Sequence, residues 1–181
     1  MNEDLKLIEA ALDGMDYAVE ELAAKYQKRI YALIYRMTQD VEDSKDLTQK
    51  TLMAAFTNLK GFKGQASFYT WLYRIAVNNC LNHLNSRPRT AEELNEDFTK
   101  SPDDTLSSAL ERERLSHLRD SLRYLPQRQR AALVLRAFEG LSLRETAEVM
   151  QCTEGAVKAH YHQAVKKLRT ILKDKGYEIH A

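Results

Sequence analysis

Pro126-Gln127-Arg128-Gln129-Arg130, Ser142-Leu143-Arg144-Glu145 and Thr153-Glu154-Gly155-Ala156-Val157-Lys158 open three consecutive helical patterns, the first ending at Gly140. Pro126 suits a first-turn position, because its missing N–H is one the helix would leave unpaired anyway. Gly140 fits a left-handed cap after Phe138, and Ser142 with Glu145 spells a capping box. Two short helices joined by a tight turn, the second rich in cations and poor in acids, is how a helix-turn-helix looks in sequence. That reading points to a DNA duplex as a partner.

Upstream the pattern stays helical. Leu22, Tyr26, Ile30, Leu33, Ile34 and Met37 recur at spacings of three and four, one apolar face over about five turns. Leu47, Leu52, Ala55, Phe56 and Leu59 give a second apolar face after Asp40, with Glu42, Asp43, Asp46, Gln49 and Lys50 opposite. Gly61 to Ala66 reads as a loop, and Ser67 as the cap of a helix running through Trp71, Leu72, Ile75 and Ala76 to about Leu84. Ser86-Arg87-Pro88 stops it. Helix resumes near Leu110, with Leu115, Leu118, Leu122 and Leu125 as its buried stripe. The fold class expected is all-α: an N-terminal helical domain (1–87), an acidic flexible linker (88–109) with Pro88 and Pro102, and a C-terminal helix-turn-helix domain (110–175).

The 181 residues carry a net charge of only +1, so distribution rather than total charge must speak for nucleic acid. Glu3, Asp4, Glu9, Asp13, Asp16, Glu20 and Glu21 face a single cation, Lys6, within the first 21 residues. The balance reverses from Lys158, where Lys166, Lys167, Arg169 and Lys173 come before the next acid, Asp174. Cys80 and Cys152 are the only cysteines, without a CxxC, and read as two reduced, mostly buried thiols. No apolar run reaches the roughly 18 residues of a membrane span, and the acidic start does not look like a signal peptide. A cytoplasmic protein is expected.

In a helix-turn-helix the second helix enters the major groove. Thr153 would cap it, and Val157, Ala164, Val165 and Leu168 can face the core. Lys158, His160, Tyr161, His162 and Gln163 are then candidates for base edges, and Lys166, Lys167 and Arg169 for phosphates. A solvated basic face near a helix C-terminus explains any single one of those cations equally well. His160 and His162, two apart on a helix, do not face one way and make a poor metal pair. Phe62-Lys63-Gly64-Gln65-Ala66-Ser67-Phe68-Tyr69-Thr70-Trp71-Leu72-Tyr73-Arg74 interleaves aromatics with cations, a composition suited to unstacked bases, and equally to a packed aromatic helix.

On these residues the chain resembles the extracytoplasmic-function (ECF) sigma factors, the small two-domain sigma subunits of bacterial RNA polymerase. The resemblance runs from about Tyr17 to Leu172. It rests on Phe62-x-Gly64…Thr70-Trp71-Leu72-Tyr73-Arg74-Ile75-Ala76-x-Asn78 and on Leu125-Pro126-x-Arg128-x-Arg130…Glu139-Gly140-Leu141-Ser142…Gly155-x-Val157-Lys158. It implies a sigma factor that binds core polymerase through the β′ clamp helices and the β subunit, recognises −35 and −10 promoter elements and opens DNA for a stress- or envelope-type regulon. An anti-sigma factor would hold it off. No cofactor and no catalytic residue are implied, and the chain would not be an enzyme.

By the same resemblance Asp43, Asp46 and Gln49 lie on the clamp-binding face. Phe62, Lys63 and Ser67, with Asn78 across from them, look like the pocket for a base flipped from the −10 strand. Trp71, Arg74 and Asn79 look like the melting surface, and Lys158, His162 and Gln163 sit where the family reads the −35 element. Lys45 and Lys50 stand where the family often has acids, Asn82 and Asn85 replace an Asp and an Arg, and Gln151 replaces a frequent Gly in the turn. Two other classes compete. A regulator binding closed duplex as a dimer would need a palindromic site. A nuclease would need clustered carboxylates, whereas these acids lie in the linker and on helix faces.

Overall fold

A computed structural model describes residues 3–86 and 117–174. The acidic linker, the helix restart near Leu110 and Leu115 lie outside the described residues. In the N-terminal half α1 (Glu3–Leu12), α2 (Asp16–Thr38), α3 (Val41–Thr57), a 3-10 turn (Leu59–Gly61) and α4 (Phe68–Ser86) follow one another. In the C-terminal half a helical stretch, α5, covers 117–121. A 3-10 turn (Leu122–Tyr124), α6 (Gln127–Leu133), a π-helical turn (Val134–Phe138), α7 (Leu143–Met150) and α8 (Glu154–Asp174) complete it. Among the described residues there is no strand.

α2 is the spine of the first domain. All six residues of its expected apolar face, Leu22, Tyr26, Ile30, Leu33, Ile34 and Met37, are buried. Gln39 ends it in the left-handed conformation at φ 60°, its N–H donating to the Tyr35 carbonyl at 2.8 Å. Asp40 then caps α3 at once, Oδ1 accepting from the Asp43 N–H at 2.8 Å. The sharp reversal lays α3 back along α2 and buries Leu47 and Ala55. α1 is fastened by Asp4, whose carboxylate accepts from the Tyr26 hydroxyl at 2.6 Å and the Lys25 ammonium at 2.7 Å.

The C-terminal half follows its caps. Pro126 sits one place earlier than expected, as the cap before α6, with its carbonyl accepting from the Arg130 N–H at 2.9 Å. The Ser142–Glu145 capping box is complete in both directions, at 2.8 and 3.2 Å. Gln151 ends α7 at φ 51° and ψ 50°, so the left-handed turn is made by a non-glycine residue. Thr153 caps α8, Oγ1 accepting from the Ala156 N–H at 3.2 Å. Val157, Ala164 and Leu168 are buried, while Val165 is half-buried.

The two halves pack on one another. The buried residues of both belong to one continuous apolar cluster, with α7 and α6 laid against α4 and α2. Polar keys pin this contact. Arg130, 7% exposed, donates from Nη1 to the Met37 carbonyl of α2, and from Nη2 to the Arg123 and Leu125 carbonyls at 2.9 and 3.2 Å. Burial pulls its pKa down to about 10, which still leaves it charged at neutral pH. No helix among the described residues is long and apolar enough to cross a membrane.

Candidate nucleic-acid interface

Three aromatic rings meet where the Phe62 loop joins α4. Phe68 is buried, and Phe62 stands edge-on to it with centroids 5.5 Å apart. Trp71 lies 5.6 Å from both. Phe62 and Trp71 are half-buried, so each keeps part of its surface in solvent. Ser67 is exposed and caps α4, Oγ accepting from the Thr70 N–H at 3.1 Å. Lys63 is exposed beside it and Arg74 one turn on. The result is an aromatic cluster anchored in the core at Phe68, with exposed cations next to it in sequence, a composition on which an unpaired base can stack.

Asn78 is half-buried on α4. Asn79 is turned inward, its Nδ2 donating to Thr51 Oγ1 on α3 at 3.1 Å, so it braces α4 against α3. Arg74 points its guanidinium at the second domain. The Gln151 amide, with its oxygen facing the guanidinium, accepts from Nε at 2.7 Å and from Nη2 at 3.0 Å. The left-handed turn of the helix-turn-helix therefore sits on a residue expected at the melting surface.

On α3, Asp46 and Gln49 are exposed, together with Lys45 and Lys50. Asp43 is not. Its carboxylate is 15% exposed and lies 3.0 Å from Nε2 of His83 on α4. Capping geometry turns the first residues of α3 toward α4, which takes Asp43 off the open polar face.

α8 presents Lys158, His162, Gln163, Lys166 and Lys167 to solvent. His160 is half-buried instead and lines a groove with Leu81, Asn85, Pro126 and Arg128. Gln163 is held from α6: Gln129 Nε2 donates to its Oε1 at 2.9 Å. Thr153 spends its hydroxyl on the α8 cap.

Sequence reasoning missed the residues that join the halves. Glu139 follows the π-helical turn, its N–H donating to the Val134 carbonyl at 3.1 Å, and Gly140 continues at φ 69°. That rare backbone feature aims the Glu139 side chain, 6% exposed, into the first domain. Oε1 lies 3.1 Å from Arg36 Nη1, and Oε2 accepts from the Tyr73 hydroxyl at 2.6 Å. Its carbonyl accepts from the Tyr69 hydroxyl at 3.3 Å. Burial, then the Glu139 charge, push the Tyr73 phenol far above its ordinary range, so it stays protonated and donates. One signal was present in sequence: Arg130 interrupts an otherwise apolar buried face.

Residues 22–90 match the family described as Sigma-70 region 2, and residues 116–168 match Sigma-70, region 4. The RNA polymerase sigma-H factor of Pseudomonas aeruginosa is 36% identical over 173 residues, covering 90% of each chain. The ECF RNA polymerase sigma-E factor of Haemophilus influenzae is 33% identical over 176 residues, covering 89% of this chain and 90% of that one. That of Escherichia coli K12 is 32% identical over 173 residues with the same coverage. Among solved structures, CnrH in complex with the cytosolic domain of CnrY superposes with a TM-score of 0.72 at 24% identity, covering 96% of this chain and 99% of that one. The sigma factor RpoE of Bartonella quintana, solved with the anti-sigma factor NepR, gives 0.70 at 22%, covering 85% and 96%. The structural likenesses speak to the fold. The sequence relatives decide the family: the chain belongs to the ECF sigma factors of the sigma-70 family, which direct promoter-specific initiation of transcription.

Proposed function

We propose that this chain engages core polymerase through the exposed side of α3, opens the −10 element with the Phe62–Arg74 surface, and reads the −35 element with α8. One observation carries this reading. Phe62 and Trp71 are half-buried against buried Phe68, with exposed Lys63, Ser67 and Arg74 next to them in sequence, in the same chain as a fully capped helix-turn-helix. Extracting a base costs a few kcal/mol of unstacking, and an aromatic wall beside cations offsets that cost.

Within it, Asp46 and Gln49 meet the β′ clamp helices, and Asp43 acts through its His83 contact by fixing α3 on α4. The β subunit completes the polymerase surface. Phe62, Lys63, Ser67 and Asn78 receive the flipped base, Trp71 and Arg74 flank it, and Asn79 holds α4 in place. On α8, Lys158, His162 and Gln163 face base edges, Lys166 and Lys167 face phosphates, Thr153 fixes the helix start, and His160 sits at the edge of the contact. The protein works in the cytoplasm, has no catalysis of its own, takes no cofactor and is restrained by an anti-sigma factor. The solved neighbour from Bartonella quintana, whose name includes an anti-sigma factor, supports that last point by fold.

Footprinting of the holoenzyme tests the assignment. Permanganate should find unpaired thymines near −10 only when this chain is added to core polymerase, and Phe62→Ala with Trp71→Ala should abolish them while leaving −35 protection. Protection of duplex with no unpaired thymines would favour the closed-duplex regulator instead.

A further inference from the structure

Gln163 is exposed on α8, yet its side chain is not free to turn. Its Oε1 accepts from Nε2 of Gln129 on α6 at 2.9 Å. The contact follows from how the two helices pack. Val157, Ala164 and Leu168 bury one face of α8, and α6 lies against it. Gln129 and Gln163 each neighbour a buried residue, Arg130 and Ala164, so they meet where the seam between the helices opens to solvent. His160, three residues before Gln163 and on the same side of α8, lines that groove with them.

Two amides in contact can pair in two ways. Gln129 donates to Gln163, or both turn over and Gln163 donates to Gln129. The surroundings choose between them. Oε1 of Gln129 is buried and has no hydrogen-bond partner among the described residues. Turned over, Gln129 would bury a nitrogen with two N–H groups in that place. A buried N–H left unpaired is a rarer state than an under-satisfied carbonyl. Gln129 therefore keeps its nitrogen toward α8, and Gln163 keeps its oxygen toward α6.

What Gln163 then offers to a duplex is Nε2, a donor with two N–H groups. Glutamine reads adenine with both ends of its amide, Oε1 on N6 and Nε2 on N7. With the oxygen engaged by α6, that pairing is lost, and the amide matches an edge made of acceptors. Guanine has such an edge, N7 and O6 with no donor in the major groove. A side chain already held in one rotamer also spares the cost of ordering it on contact.

We propose that Gln129 is a positioning residue that sets base specificity: by donating to Oε1 of Gln163 it makes Gln163 a donor to DNA, and so selects guanine over adenine at one base pair of the −35 element. This rests on the proposed role of α8 as the −35 reader. Gln129 acts through Gln163 and needs no contact of its own with the duplex.

The test uses holoenzyme assembled from core polymerase and the full chain, with a promoter pool in which the −35 hexamer is randomised. Bound promoters are sequenced for wild type, Gln163→Ala, Gln129→Met, Gln129→Glu and the double variant Gln129→Met with Gln163→Ala. Gln163→Ala marks the base pair that Gln163 reads, as the position whose preference it loses. There the wild type should favour guanine over adenine by about tenfold. Gln129→Met removes the donor, frees both ends of the Gln163 amide and should bring adenine level with guanine. Gln129→Glu can only accept, so it turns the Gln163 amide over, presents Oε1 and should reverse the order. Added to Gln163→Ala, Gln129→Met should change nothing further. A general loss of stability would weaken every base pair alike, so a change confined to one position reports orientation. An unchanged guanine preference in both Gln129→Met and Gln129→Glu would overturn the positioning role and leave the −35 reading intact, as would a wild-type preference for adenine at that position. A wild-type pool with no enriched hexamer, or a Gln163→Ala profile identical to wild type, would remove the reading of α8 itself and the proposal with it.

Discussion

The Tyr73 hydroxyl donates to Oε2 of Glu139 across 2.6 Å and 66 residues of sequence, joining the aromatic helix of one domain to the π-helical turn of the other. Hydrogen bonds to charged groups are worth about 1.5–3 kcal/mol. Tyr73→Phe keeps the ring's packing and removes the donor, leaving Glu139 with Arg36. In chemical denaturation followed by a probe of each domain, wild-type transitions should coincide. Tyr73→Phe should separate them, with the C-terminal domain losing stability by about 2 kcal/mol.

The capping box of α7 gives a pH signature. Its hydrogen bonds from Ser142 hold the Glu145 carboxyl below its ordinary value of 4.5. A group whose folded pKa is lowered contributes stability above the unfolded value and loses it as pH falls through the folded one. The advantage of wild type over Glu145→Ala should therefore be complete at neutral pH and vanish in strongly acid buffer. Ser142→Ala should cost about 1 kcal/mol at neutral pH. Thermal melts across pH check both.

Burial pushes the Cys80 thiol up to about 12, and burial raises Cys152 as well. Cys80 is fully buried and Cys152 half-buried. At neutral pH iodoacetamide should label Cys152 slowly and leave Cys80 untouched until the chain unfolds. Mass spectrometry of the labelled protein gives the answer directly.

If Lys166 and Lys167 neutralise phosphates, each alanine substitution should lower the slope of log affinity against log salt by about one. Base preference should stay the same at Lys166 and Lys167. A change in preferred sequence there would place them on base edges. Gln129→Met, which frees the Gln163 amide held at 2.9 Å, should instead alter preference at one base pair and leave the slope alone.

Elements whose information is local were legible in sequence. The apolar face of α2, the Ser142–Glu145 box and the Thr153 cap all follow from spacing and cap chemistry within a few residues. The all-α class and the helix-turn-helix followed from those. What could not be read is what depends on the approach of distant segments. Nothing near Asp43 announces that His83 lies beside it, 40 residues on, and Asn79 gives no sign of facing Thr51. Glu139 looked like a polar residue before a glycine, because a π-helical turn has no signature of its own in one sequence. Arg130 was read only as part of the Leu125–Arg130 motif, and its three carbonyl partners, one of them on α2, emerge only from the packed helices.

Abortive initiation tests the sigma-factor role most directly. Core polymerase alone, and core polymerase with this chain, are given a promoter library and a labelled dinucleotide with the next nucleotide. Short transcripts should form only with the chain present, from templates sharing two separate sequence blocks. Duplex binding by the chain with no transcripts from any template would contradict it.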